Sequence, residues 1–169
     1  MLTTDPASPE FDSYASVSDL QAFATARGYE VPADAAECEN LLVQAMDFLA
    51  GIDWRGCRAD PAQPQAWPRR GVMADGVSLP DSTIPRQLVQ AQCRLAIEAQ
   101  EIELMPSFDA GGEVVQESVS GAVSVTYAQG SSRSSASFPW LNNMLRGLVG
   151  SSNQVRLVRG VMCLLTTPA

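Results

Sequence analysis

Residues 84–105 read IPRQLVQAQCRLAIEAQEIELM, and this stretch constrains the fold more than any other. Ile84, Leu88, Ala91, Leu95, Ala99 and Ile102 recur at steps of three and four, the spacing of one helix face. Pro85 suits a first helical position, where a missing N–H costs nothing. Pro106 stops the pattern. A helix of that length would run roughly 33 Å and could carry several shorter elements. The expectation is a mainly α fold: a small helical bundle around one long central helix, with a β-hairpin and an extended C-terminal arm. Glu98, Glu101 and Glu103 crowd the far end, where the helix dipole disfavours negative charge by ~0.3–1 kcal/mol each when exposed. They are either a solvated face or partners for arginines from another loop or another subunit.

Histidine is absent, lysine is absent, and all 11 basic residues are arginine. That removes histidine-based triads, Schiff-base lysines, the phosphate-loop lysine and most zinc sites. There is no glycine-rich phosphate loop and no nucleophile elbow. The carboxylates cluster at spacings typical of solvated helix faces. No enzyme, no cofactor and no metal is expected. No apolar run reaches the length of a membrane span, and the first residues lack a basic-then-apolar secretion signal. Charge is segregated. Residues 1–117 hold seven arginines against all 19 acids, a net −12, and residues 118–169 hold four arginines and no acid, +4.

In chain order, residues 1–15 read as a polar N-terminal arm, and 16–150 as one helical domain. Ser16 with Asp19 resembles a capping box. Asp34 with Glu37 repeats the signal before a broad apolar stripe that ends near Gly51. Cys38 and Cys93 fall inside helical patterns, where a small buried thiol is the usual role. Residues 53–83 form a long connection with four prolines and three glycines, which argues against regular elements. Trp54 and Trp67 are costly to leave in water, so they are read as structural anchors of an ordered loop. Arg55, Arg58, Arg69 and Arg70 would then lie near its surface. Residues 113–127 alternate as a hairpin, with Val123, Val125 and Tyr127 on its second strand. Arg69, Arg70, Glu98, Glu101, Glu103, Val123, Val125 and Tyr127 are the candidates for contacts between subunits. Pro139 opens a short helix.

Residues 151–169 begin with a polar hinge, Ser151-Ser152-Asn153. Val155, Arg156, Leu157, Val158, Arg159, Val161, Met162, Leu164 and Leu165 are too apolar for a solvated tail. They either complete the body or form an arm that docks into a partner.

Several stretches resemble the head-to-tail connector, or adaptor, proteins of tailed bacteriophages. They are YASVSDLQAFATARG at 14–28, QAMDFLAG at 44–51 and, most specifically, QAWPRRGV at 65–72. Ile84-Pro85 and an alanine-rich helix follow at the expected distance, then VSVTY at 123–127 and PWLNNML at 139–145. The likeness covers roughly residues 14–148. Members of this group are often labelled DnaT-like single-stranded-DNA-binding proteins. The resemblance implies a structural ring, commonly of twelve copies, beneath the portal protein in the virion neck, assembled in the host cytoplasm. A further neck or tail-completion protein would lie below, and DNA would pass through without specific binding. The arm at 155–165 would dock on the portal. The other reading is a single-stranded-DNA-binding or primosome-type accessory protein.

Overall fold

The computed structural model describes residues 2–106 and 137–150. The proposed hairpin at 113–127 and the proposed docking arm at 151–169 lie outside them.

Local chemistry starts the first two helices. Helix α1 (Val17–Thr25) opens on a complete capping box: the Ser16 side chain accepts from Asp19 N–H, and the Asp19 carboxylate accepts from Ser16 N–H. That satisfies two donors that a helix N-terminus otherwise leaves open. Helix α2 (Ala35–Ala50) is capped by Asp34, which accepts from Ala36 N–H. Its inner face buries Cys38, Leu41, Leu42, Ala45, Met46, Phe48 and Leu49. Helix α3 (Arg86–Glu98) packs against both α1 and α2 through Leu88, Ala91, Cys93, Leu95 and Ala96. The short helix α4 (Pro139–Met144) leans on α3, with Arg94 stacked 4.3 Å from the Trp140 ring centre.

The expected bundle around one long central helix is not what forms. Among the described residues 37% are helical, in four helices beside two small sheets, and the fold is mixed. Helix α3 has 13 residues, fewer than the 16 of α2. Its regular ladder ends at Ala99, and the chain then turns through Gln100 and Glu101. Two causes act together. The glutamates gather where the helix dipole disfavours them. The Gln100 side chain also donates to the carbonyls of Ile97 and Glu30, closing the last turn. Leu104 is buried by the bend instead of by a continued helix.

The second departure is in the connection. Strand β1 (Cys57–Arg58) pairs antiparallel with β2 (Arg69–Arg70), and β3 (Met73–Ala74) pairs with β4 (Val77–Ser78). The β3–β4 turn is Asp75-Gly76, with φ of +51° and +81°. An Asp-Gly pair adopts two left-handed residues in succession at little cost, and such a turn matches the twist of a hairpin.

Residues 11–15 belong to the core. Phe11, Ser13, Tyr14 and Ala15 are all buried. A polar network explains how. Gln92, fully buried on α3, accepts from Ala15 N–H (2.8 Å) and donates to Ser13 Oγ (2.8 Å) and the Leu42 carbonyl (3.0 Å). One side chain thus ties the N-terminal segment, α2 and α3 together, and its buried amide is satisfied on both ends.

Candidate functional site

The loop half of the molecule is organised by aromatic burial. Trp67 is fully buried, and Trp54 meets it edge to face with ring centres 5.8 Å apart. The Trp67 backbone N–H donates to the Tyr14 hydroxyl (3.3 Å). Burial pushes the Tyr14 phenol up to about 12. The Trp67–Pro68 peptide is cis. Gln63 holds the loop from within, donating to the carbonyls of Gln65 and Pro68 and accepting from Asp60 N–H.

Arg69 acts as an internal fork. Its guanidinium donates to the carbonyls of Arg55 (2.7 Å), Ala66 (3.1 Å), Trp54 (3.3 Å) and Gly56 (2.6 Å). Five fixed donors in one plane suit such a task, which an ammonium cannot copy. Burial, followed by the repulsion of Arg58, lowers its pKa. Gly56 sits at φ +69°, and a Cβ there would come 2.3 Å from the Arg70 carbonyl oxygen. Glycine is required for β1 and β2 to close.

Arg70, the next residue along the strand, points to the other face from Arg69, while Arg58, directly opposite Arg69, shares its face. Arg55, Arg58 and Arg70 are exposed on or beside the β1–β2 pair. Arg58 also donates to the Gln63 carbonyl. Arg55 and Arg70 make no side-chain hydrogen bond or ion pair among the described residues. The segment after α4 lies alongside. Arg55 N–H donates to the Leu148 carbonyl, Gly150 N–H to the Asp53 carbonyl, and Trp54 bridges Val149. This brings exposed Arg146 to the same end, where its carbonyl accepts from Gln87, next to exposed Arg86.

Charge follows the same division. Residues 2–50 carry nine acids against Arg27 alone, net −8, whereas residues 51–86 carry five arginines against four aspartates, net +1. An acidic helical half and a mildly basic loop half therefore share one molecule. The basic half can take an anionic ligand while the other repels it.

The residues singled out from the sequence fall as follows. Trp54 and Trp67 meet in the core, and Arg69 engages the loop's own carbonyls. Arg70 is exposed and has no side-chain partner among the described residues. Glu98 pairs with Arg94 one turn back (3.5 Å), and Glu101 and Glu103 are exposed. The loop arginines and these glutamates are not brought together. Val123, Val125 and Tyr127, and the whole set from Val155 to Leu165, lie outside the described residues. The Arg69 fork, Gln63 and Gln92 went unread. Asp75-Gly76 was a readable hairpin signal inside a stretch otherwise dominated by proline. No group of acidic or cysteine side chains is placed to hold a metal among the described residues, and no described helix is long and apolar enough to cross a membrane.

A sequence model of the family described as "Putative DnaT-like ssDNA binding protein" matches residues 1–160. No curated protein and no solved structure matches the chain.

Proposed function

The chain belongs to this DnaT-like family, and from that premise we propose that it binds single-stranded DNA and is not an enzyme. The observation that carries the reading is the exposed pair Arg55 and Arg70, neither of them paired among the described residues, beside a small ladder braced by Trp67 and Arg69. Arginines fixed at their base can grip successive phosphates without first being ordered. The weak net charge of this half sets the strength: binding is modest and sensitive to salt. This reading replaces the expectation that DNA is met only in passage, without specific binding. The connector reading, with its portal, neck protein, twelve-copy ring and place in the virion, rests on the resemblance alone, and the family match supports the DNA-binding alternative better.

The test is fluorescence anisotropy of a labelled single-stranded oligonucleotide between 50 and 200 mM salt, values chosen because phosphate contacts are resolved there. Affinity should fall linearly with salt on logarithmic axes. Arg55→Ala with Arg70→Ala should weaken binding and flatten the slope by about 0.7 per phosphate contact removed. Absence of binding at the lowest salt would reject the proposal.

A further inference from the structure

The β3–β4 hairpin carries the two most exposed large apolar side chains among the described residues, Met73 at 58% and Val77 at 65%. The register decides where they point. Met73 is opposite Ser78, and Ala74 is opposite Val77. Directly opposed residues share a sheet face, and successive residues alternate. Met73 and Val77 therefore lie on opposite faces, and the hairpin is apolar on both sides.

This prong is firmly built. Its turn is the two-residue Asp75-Gly76 pair. At its base, Leu79 N–H donates to the carbonyl of fully buried Val72 (2.9 Å). Gly147 abuts its side, where a Cβ would come 3.4 Å from that of Ala74. Arginines stand at the base: Arg70, three residues before Met73, and Arg146, next to Gly147. The lone acid on the hairpin, Asp75, is at the tip. Phosphates are thus attracted to the base and repelled from the tip, while Met73 on one face and Val77 on the other, which Gly147 backs at Ala74, stay exposed.

We propose that this hairpin is a wedge that enters between two adjacent bases of a single strand, Met73 against one base and Val77 against the next. The inference rests on the DNA-binding reading above and names how that site treats bases. Apolar side chains inserted between base steps unstack them at a cost of a few kcal/mol, which flanking contacts offset. The flanking contacts here are the arginines.

The experiment uses the full chain and an oligonucleotide with an internal 2-aminopurine, whose fluorescence rises when it is unstacked. Wild-type protein should brighten the probe on binding. Met73→Ser with Val77→Ser should bind about tenfold more weakly, keep the wild-type salt slope, and lose the brightening at saturation. Because both side chains are exposed, the variant should keep its fold, which circular dichroism checks. Met73→Leu with Val77→Ile should behave as wild type. Wild-type affinity and brightening in the serine variant would overturn the wedge while leaving the arginine site standing. A loss of self-association with unchanged DNA affinity would also overturn it and assign the prong to a second copy. Absence of any binding by the wild type would reject both readings.

Discussion

Around Gln92 the core is assembled from helix faces, and around Trp67 it is assembled from a loop. In the first region, α1, α2 and α3 supply their own backbone hydrogen bonds, and packing adds apolar contacts between them. In the second, two-residue ladders supply few. Side chains take over: Gln63 and Arg69 satisfy carbonyls, and the Trp54–Trp67 pair supplies the burial. A loop can be as rigid as a helix when its polar backbone is answered by buried side chains. The division also separates tasks. The helical half carries the negative charge, and the loop half presents arginines, which suits loops positioned by a stable scaffold.

Trp67→Ala should break the loop half most severely. Large aromatic truncations in packed sites cost about 3–5 kcal/mol, and here the edge-to-face contact with Trp54 goes as well. Thermal melting should show a large drop. An unchanged melting temperature would mean that the loop holds without its plug.

Tyr14 joins the two regions, and its titration gives the next effect. Its ordinary pKa of 10 is raised to about 12 by burial. Above pH 10 the unfolded chain releases the phenolic proton first. The Tyr14 contribution should therefore be intact below pH 10, fall at roughly 1.4 kcal/mol per unit up to about 12, and then level off. Buried Cys93, raised from 9 to about 12 mainly by burial, acts in the same direction from pH 9 upward. Urea unfolding of wild type and Tyr14→Phe across this range separates them. The substitution should make the decline shallower, and identical declines would show that Tyr14 is not the sensor.

Gln92→Ala tests the helical half. It leaves the Ala15 N–H and the Leu42 carbonyl without their partner in a dry interior, at about 2 kcal/mol. Proteolysis should then open residues 2–15 before the helices. If these residues stay as protected as in the wild type, Phe11 and Tyr14 alone hold the segment.

How legible was this in the sequence? The starts of α1, α2 and α4 were, because each depends on residues within one turn: Ser16 with Asp19, Asp34 with Ala36, and Pro139 at the first helical position. Ser16 and Asp19 carry that information wherever the chain goes. Pro139 opened its helix as read, and Pro85 became the cap of α3 instead of its first residue, a shift of one position. The length of α3 was not legible: periodicity continues through Ile102, but the hydrogen-bond ladder stops where Gln100 finds the Glu30 carbonyl, 70 residues away in the chain. The loop arginines were identified as a group, yet their sequence positions could not tell which one turns inward. Arg69 and Arg70 are neighbours in opposite roles because the β1–β2 register points alternate side chains to opposite faces.

The sequence by itself determined the caps, the Asp75-Gly76 turn, the apolar helix faces and the chemistry excluded by having neither histidine nor lysine. These depend on short-range geometry and on residue inventory. Only the tertiary structure decided that residues 11–15 are core and that Gln92 is their anchor. It also set Tyr14 against Trp67 and turned Met73 and Val77 outward together. The Gln92–Ala15 bond spans 77 residues and the Tyr14–Trp67 bond 53. A buried backbone N–H needs a partner, but nothing local says which, because the partner arrives only when the chain has closed on itself.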